Sequence, residues 1–324
     1  SYYNAIINWV KQRYDLIVTK EVINFVPGIV PGIGMAMNCF TQKGDKVMIQ
    51  PPVYHPFAWV TTRNERTLVI NPLRWENGMY RMDLDAFREQ IKGCKLFILC
   101  NPHNPGGVVW TEAELRAIAD ICYDEKVLVF SDEIHADLTL PPHTHRPFAT
   151  VSEKARMNSV TFMSPSKAFN MPGLSASHAL IFNEDLRKRF RIYMDAGELD
   201  MGHVFAFLSV EAAYSHGTEW LDQCLAYIQG NIDFVDEFLK KHAPKIKAIR
   251  PEASYLVWLD CRELELSQKD LNEFFVDKAH LALNDGEMFG KEGIGFMRLN
   301  VASPRCIIEK AMKQLADAYQ LYIK

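Results

Sequence analysis

The stretch Ser164-Pro165-Ser166-Lys167-Ala168-Phe169-Asn170 directly follows the apolar run Val160–Met163. Such a run is typical of a buried strand, so Lys167 is expected at the carboxyl end of that strand, where α/β sheets bind their ligands. Partial burial would lower the pKa of the lysine amine and favour the neutral form, which condenses with aldehydes. A single strand-end lysine is more commonly a surface or salt-bridged residue, so the choice between the two interpretations depends on its neighbours.

Two upstream segments supply an amide and a carboxylate. Asn104 lies in Asn101-Pro102-His103-Asn104-Pro105-Gly106, Asp132 follows 28 positions later in Ser131-Asp132-Glu133-Ile134-His135, and Lys167 comes 35 positions after Asp132. Asp132 ends the apolar run 127–130, and a buried aspartate requires a cation or hydrogen-bond donors. A pyridinium nitrogen is such a cation, although a strand-end aspartate can also cap the next helix. An amide, a strand-end carboxylate and a strand-end lysine together indicate binding of pyridoxal phosphate (PLP), and Arg298 completes the set.

Several weaker signals surround this set. His135 could donate a hydrogen bond to the cofactor or be an ordinary polar residue near the sheet edge. Asn104 lies between prolines, in a composition that is also typical of a plain loop. Ser164 and Ser166 offer hydroxyl groups to a phosphate. Pro27–Gly32 precedes the helix-like run Ile33–Phe40 and could present backbone N–H groups to a phosphate at a helix N-terminus.

The first two-thirds of the chain alternates short apolar runs with longer amphipathic ones, which predicts an α/β domain. Thr111–Lys126 is predicted as a helix because Thr111 and Glu114 have the spacing of a capping box, and a further helix is expected around Ile6–Arg13. The predicted strands are Lys46–Gln50, Thr67–Ile70, Lys95–Cys100, Val127–Ser131, Ser159–Met163 and His178–Phe182.

The pattern changes near residue 200, and the last third is predicted to be a smaller α+β unit. We therefore predict a large domain over residues 1–215 and a small C-terminal domain over residues 216–324. The small domain begins with a long helix over Trp220–Lys241, which follows a shorter one over Val204–Tyr214. Later elements are strands at Tyr255–Leu259, Leu281–Leu283 and Phe296–Leu299, a helix over Lys269–Lys278 and a closing helix from Pro304 to about Lys324.

Composition excludes several classes of function. The chain has 324 residues and a net charge of −4, which gives no electrostatic reason to expect nucleic acid or an anionic membrane as a partner. No apolar run is long enough to span a bilayer. The seven cysteines are scattered and never form C-x-x-C, which argues against a disulfide framework and a metal site and fits a reducing cytoplasm. The chain shows no secretion signal, and it lacks an initiating Met, so further residues are expected upstream.

The combined motifs resemble the fold type I, aspartate-aminotransferase-like superfamily of PLP enzymes, the class I/II aminotransferases. The segments 51–57, 131–135 and 164–174 are similar to those of its bacterial cystathionine β-lyase (C–S lyase) branch. The resemblance runs from end to end and implies a mainly parallel, seven-stranded sheet with helices on both faces. It also implies a homodimer with active sites near the subunit interface.

The resemblance assigns a role to each candidate residue. Lys167 would form the Schiff base with PLP and act as the catalytic residue. Asp132 would pair with the pyridine nitrogen, Asn104 would bond the ring hydroxyl, His135 would contact the cofactor and Tyr54 would stack on its ring. Backbone around Ile29 and Val30, together with Ser164 and Ser166, would hold the phosphate, and Arg298 would bind the substrate α-carboxylate through its bidentate guanidinium group.

Three departures from the aminotransferase pattern affect the expected reaction. Many aminotransferases have tyrosine where this chain has His135, and arginine eight residues after the lysine, where this chain has Ser175. Both replacements are those of the lyase branch. Family members also carry some tens of residues before the equivalent of Ser1, including a Gly-Tyr-Thr-like stretch whose tyrosine reaches the neighbouring subunit's phosphate. We expect a protein without that segment to bind cofactor and partner less well.

Three functions therefore remain open on the sequence alone. The first is a β-elimination lyase that acts on cystathionine, cysteine or related thioether amino acids and releases pyruvate, ammonia and a thiol. The second is an aminotransferase, which would need an added keto acid for turnover. The third is a regulatory PLP-binding protein. The first two share every catalytic residue named above, and His135 and Ser175 favour the lyase.

Overall fold

The computed structural model describes residues 1–322, which form thirteen strands and eleven α-helices. The strands are β1 Ile23–Val26, β2 Lys46–Ile49, β3 Thr67–Ile70, β4 Arg74–Glu76, β5 Met79–Arg81, β6 Cys94–Cys100, β7 Leu128–Asp132, β8 Ser159–Met163, β9 Ser177–Leu180, β10 Lys247–Ile249, β11 Leu256–Asp260, β12 Asn284–Asp285 and β13 Phe296–Asn300. The helices are α1 Tyr2–Tyr14, α2 Ile29–Phe40, α3 Pro56–Arg63, α4 Leu84–Gln90, α5 Glu112–Asp124, α6 Glu153–Met157, α7 Glu184–Ala196, α8 Val204–His216, α9 Thr218–His242, α10 Gln268–Glu273 and α11 Arg305–Tyr322.

Seven strands form one sheet in the order β1-β9-β8-β7-β6-β2-β3. Neighbours from β8 to β3 are parallel, whereas β9 runs antiparallel to both β8 and β1. The expected mainly parallel, seven-stranded sheet is therefore confirmed, and all six predicted strands belong to it. The seventh, β1, has no counterpart in the sequence prediction.

The sheet is covered on both faces because consecutive residues of its central strands point to opposite sides. Phe97 and Leu99 of β6 pack with α4 and α5 on one face. Leu96 and Ile98 pack with α2 and α7 on the other. Burial of both side-chain sets explains why β6 is apolar along nearly its whole length.

Helix α5 begins as the capping-box prediction requires. Thr111 Oγ1 accepts the backbone N–H of Glu114 at 3.2 Å, and Glu114 Oε2 accepts the backbone N–H of Thr111 at 2.8 Å. Helix α2 begins at Ile29, four residues earlier than the apolar run suggests, because Pro31 is tolerated in the first helical turn. This earlier start brings the N-terminus of α2 to the carboxyl edge of the sheet.

The C-terminal part contains an antiparallel sheet in the order β10-β11-β13-β12, packed against α9, α10 and α11. One strand prediction here is wrong, and one helix prediction is correct in extent but not in helix type throughout. The strand expected at 281–283 lies instead at Asn284–Asp285, because the backbone N–H of Leu281 bonds Phe275 O at the end of a helical turn. Where a helix was expected over 269–278, the chain is α-helical as far as Glu273 and then forms a π-helical turn, Phe274–Lys278.

The closing helix is described as far as Tyr322, and the rest of its predicted extent, at residues 323 and 324, lies outside the described part of the chain. The boundary proposed between residues 215 and 216 lies close to Gly217, which separates α8 from α9, and the division into two domains stays a prediction. Within residues 1–322, no helix is both long and apolar enough to cross a membrane.

Backbone hydrogen bonds hold the C-terminal sheet against the carboxyl edge of the large sheet. Val53 N donates to Phe289 O at 2.9 Å, and Ser254 N donates to Leu138 O at 2.8 Å. These contacts place strand β13 opposite the ends of β6, β7 and β8. A cleft between the two sheets results.

Candidate active site

The cleft contains a cavity of ≈ 430 Å³ at the carboxyl ends of β6, β7 and β8. Because these strands are parallel neighbours, residues that follow them in sequence meet at one edge. Nine of the ten predicted site residues line this cavity: Ile29, Val30, Tyr54, Asn104, Asp132, His135, Ser166, Lys167 and Arg298. Ser164, the tenth, lies behind Ser166.

Asp132 is the last residue of β7 and is 3% exposed. Its Oδ1 accepts the backbone N–H of Ile134 at 3.1 Å, and no cationic side chain among residues 1–322 forms an ion pair with it. Burial raises the pKa of this carboxyl to about 7, with the nearby Glu133 adding to the increase and Lys167 opposing it. A buried carboxyl group without a cation fits a protonated ring nitrogen as its partner.

Lys167 lies in the turn after β8, where Phe169 N donates to Pro165 O at 2.9 Å. Burial lowers the pKa of the lysine amine, and the Arg298 guanidinium lowers it further, while Asp132 opposes the change. The environment therefore favours the neutral amine. A neutral amine can attack an aldehyde and can accept a proton.

One end of the cavity suits a phosphate group. The N-terminus of α2 faces it with the backbone amides of Ile29 and Val30, and no side chain caps this helix end. Ser166 lines the same cavity. Behind it, Ser164 Oγ accepts the backbone N–H of Ser166 at 3.1 Å and donates to Ala176 O at 2.7 Å. Ser164 thus holds Ser166 and does not itself line the cavity.

The cavity wall also carries a cation. Arg298 on β13 donates from Nη1 to Asn104 Oδ1 at 2.9 Å and from Nη2 to Asn284 Oδ1 at 2.8 Å, and its guanidinium lies 4.6 Å from the ring centre of Phe289. Burial lowers its pKa to about 10, so the side chain stays cationic at neutral pH. No carboxylate within the described chain pairs with it. A substrate carboxylate would supply the missing anion.

Tyr54 and His135 present polar groups to the cavity. Burial raises the pKa of the Tyr54 hydroxyl, and the charge of Asp132 raises it further. Burial lowers the pKa of His135 to about 3, assisted by Lys167 and Arg298, so its imidazole is neutral. The Nδ1 atom of His135 is buried and has no hydrogen-bond partner among the described residues. This atom is available for a hydrogen bond to a ligand in the cavity.

Sequence reasoning missed several residues of the cavity wall. Tyr255 precedes β11 and lines the cavity near Arg298. His55 also lines it, and only its position beside Tyr54 could have suggested this. Cys100 is the last residue of β6 and is buried. Its Sγ accepts the backbone N–H of Asn104 at 3.3 Å, so it also holds the Asn104 loop at the cavity.

Taken together, the donor set fits PLP. The cavity has unpaired N–H groups at one end for a phosphate, a buried carboxyl for a ring nitrogen and a lysine amine of lowered pKa for an aldehyde. Arg298 lines the same cavity and is suited to bind the carboxylate group of a second molecule. No group of three or more His, Cys, Asp or Glu side chains within residues 1–322 is arranged to hold a metal ion.

Comparisons with known proteins agree with this geometry. The family model for aminotransferase class I and II matches residues 1–315. Cystathionine beta-lyase PatB of Bacillus subtilis is 38% identical over 317 residues, which are 97% of this chain and 82% of PatB. The crystal structure of cystalysin from Treponema denticola, which contains a pyridoxal 5'-phosphate cofactor, has a TM-score of 0.97 at 34% identity and covers 100% of this chain and 82% of its own.

A PLP-bound C–S lyase from Staphylococcus hominis has a TM-score of 0.91 at 33% identity, over 98% of this chain and 81% of its own. The family resemblance inferred from the motifs is thereby confirmed. The match over residues 1–315 and the identity to PatB show that this chain belongs to the aminotransferase class I and II family. Within that family it is similar to a cystathionine beta-lyase.

Proposed function

We propose that this protein is a PLP-dependent carbon–sulfur β-lyase. Its substrates are cystathionine, cysteine or related thioether amino acids, and its products are pyruvate, ammonia and a thiol. The observation that carries the proposal is the meeting of Lys167, Asp132 and Arg298 in one cavity, in a chain whose relatives include cystathionine β-lyases and C–S lyases.

The cofactor is PLP, and the described residues suit each of its polar groups. Ile29 and Val30 amides with the Ser166 hydroxyl would hold the phosphate, and Asp132 would pair with the ring nitrogen. Asn104 has its Oδ1 engaged by Arg298, which leaves its amide N–H₂ group for the ring hydroxyl. When bound, PLP withdraws electron density from the substrate Cα and makes the α-proton acidic.

The protein's own groups then act in sequence. Arg298 binds the substrate carboxylate and thereby fixes the orientation of Cα. Lys167, whose pKa is lowered by burial and by Arg298, accepts the α-proton on Nζ. Asp132 would stabilise positive charge on the ring nitrogen of bound PLP through an ion pair in a water-poor site. The sulfur then leaves Cβ with the electron pair of the C–S bond.

The alternative is a class I/II aminotransferase, since the family carries that description. Both reactions use Lys167, Asp132 and Arg298 in the same roles. Two features support the lyase. The neutral, buried His135 occupies the position where many aminotransferases have tyrosine. Ser175, at the aminotransferase arginine position, lies outside the cavity wall.

We also propose that the protein is a homodimer. Helix α8 exposes Val204, Phe205 and Leu208, and Met201 just before it is 76% exposed. These exposed apolar side chains are close together in the sequence, and exposed apolar surface is normally covered by a partner.

The seven cysteines, all within the described residues and all in the thiol form, support a reducing cytoplasmic location.

A single assay separates the two reactions. The purified protein is incubated with PLP and L-cystathionine in the absence of any keto acid. The lyase releases pyruvate and homocysteine in equal amounts over many turnovers. If turnover requires an added keto acid and yields its amino acid, the protein is an aminotransferase and the proposed function is wrong.

A further inference from the structure

Two buried carboxylates lie on the segment that follows β7, next to residues of the candidate active site. Asp132 and His135 of this segment line the cavity, whereas Glu133 and Asp137 do not. Both Glu133 and Asp137 are nevertheless buried. A buried carboxylate requires hydrogen-bond donors or a cation, so the partners of these two groups indicate what they do.

Asp137 binds helix α1, which comes more than a hundred positions earlier in the chain. Its Oδ1 accepts the indole N–H of Trp9 at 2.9 Å and also accepts the hydroxyl group of Tyr14. Trp9 is fully buried, and its ring stacks on Tyr214 of α8 at a centroid distance of 4.7 Å. Because Trp9 is itself packed in the core, it gives Asp137 a fixed anchor.

Glu133 is held from a second direction. Its Oε1 accepts the hydroxyl of Ser131 and the backbone N–H of Phe148, each at 2.8 Å. Its Oε2 lies 2.7 Å from Nε2 of His145, whose side chain is equally buried. The two carboxylates therefore fasten both ends of the short segment 133–137 to other parts of the protein.

His135 lies between these two anchors. The Nδ1 atom of its imidazole has no hydrogen-bond partner within residues 1–322, and the ring meets Tyr255 edge to face at a centroid distance of 6.3 Å. In the turn that follows, Leu138 N donates to His135 O at 2.9 Å, which encloses Asp137 between the two bonded residues. The position of the imidazole consequently depends on where this turn is held.

We infer that Asp137 is a positioning residue, which holds the turn 135–138 so that the imidazole of His135 faces the cofactor. The inference rests on the PLP site of the proposed function and adds to it a residue outside the cavity wall. Asp137 would act through His135 and would not touch the cofactor. Its bonds to Trp9 and Tyr14 would make helix α1 part of the support of the active site.

A double-mutant cycle on PLP affinity tests this route, because fluorescence titration of the apoprotein with PLP requires no substrate and no turnover. His135→Ala should raise the dissociation constant of PLP roughly three- to tenfold, the value of one hydrogen bond. Asp137→Ala should raise it by a similar factor in the wild-type background. In the His135→Ala background, Asp137→Ala should raise it by less than about twofold.

Three further variants complete the test. Asp137→Asn keeps an oxygen for both donors and should bind PLP within about twofold of the wild type. Tyr14→Phe removes one donor and should raise the dissociation constant about two- to threefold, which keeps the inference testable if Asp137→Ala does not fold. Ile6→Val removes one buried methyl group from α1 and leaves both donors to Asp137 in place. This variant is the matched control for lost stability and should leave PLP binding unchanged.

The outcomes separate this inference from the proposed function. Equal losses in the two backgrounds, or unchanged PLP binding in both Asp137→Ala and Tyr14→Phe, overturn the inference. Unchanged binding in His135→Ala also overturns it, because His135 then contributes nothing that Asp137 could position. These outcomes leave the lyase assignment intact, which the L-cystathionine assay decides. If the wild type does not bind PLP, the proposed function fails, and the inference fails with it.

Discussion

Replacement of Asp132 by asparagine is expected to stabilise the cofactor-free protein while it removes activity. The carboxyl group is 3% exposed and has no cationic partner in the described chain, and burial raises its pKa from 3.8 to about 7. The folded state therefore binds a proton that the unfolded state has already released. Stability must fall as the pH rises from the unfolded pKa to the folded pKa.

The size of the effect on stability follows from the pKa shift of Asp132. The cost of ionising Asp132 in the folded state is absent below about pH 4, about 2 kcal/mol at pH 5 and about 4 kcal/mol above pH 7. Asparagine has nearly the same shape, does not titrate, and retains an oxygen for the backbone N–H of Ile134. The variant is thus expected to gain up to about 4 kcal/mol over the wild-type apoprotein at pH 8 and much less at pH 5.

Denaturant unfolding of both apoproteins at pH 5 and pH 8 measures this difference. The exposed Asp85→Asn variant is the control, and it should change stability by less than about 1 kcal/mol at either pH. Adding PLP should stabilise the wild type more than the variant, because only the carboxylate can pair with a charged ring nitrogen. The variant's kcat should fall by about 100-fold or more. A stability difference that is independent of pH would refute the reasoning about Asp132.

Three further predictions concern the substrate, the phosphate and the fold. Arg298→Lys should lower kcat/KM by roughly 10- to 100-fold, measured with any cleaved cysteine thioether, because a bidentate contact with the carboxylate is lost. Arg66→Met should weaken binding of PLP by roughly three- to tenfold and leave pyridoxal, which lacks the phosphate, unaffected in fluorescence titrations. The reason is that Arg66 donates to Thr41 O at 2.8 Å and so holds the C-terminus of the helix whose N-terminus faces the phosphate. Thr111→Ala should lower the free energy of unfolding by about 1 kcal/mol through loss of the capping box, with kcat unchanged.

The sequence predicted the parallel part of the fold well because its signals are local. Each strand from β6 to β8 is a short apolar run, and the polar residues that follow such runs must meet at one edge of a parallel sheet. This rule predicts that Asn104, Asp132 and Lys167 lie close together, and it is their combination that indicates a site. Arg298 was named with this set, its role as carboxylate ligand came from the family resemblance, and the structure places it in the same cavity.

The missed features depend on contacts between distant parts of the chain. Strand β1 has four residues and is paired with β9, more than 150 positions later, so no local pattern marks it. Tyr255 reaches the cavity only because β11 lies beside β13. Cys100 follows an apolar run and looks like a core residue. Its second contact, with the Asn104 backbone, becomes visible only when the loop is folded back on the strand.

The central claim is that Lys167 is the amine that carries the cofactor and performs the proton transfers. Borohydride reduction of the PLP-loaded protein, followed by peptide mass mapping, tests this claim directly. We predict one reduced pyridoxyl phosphate group on the peptide that contains Lys167, and none in Lys167→Ala, which should also be colourless. Attachment to a different lysine, or retention of covalently bound cofactor by Lys167→Ala, would contradict the account.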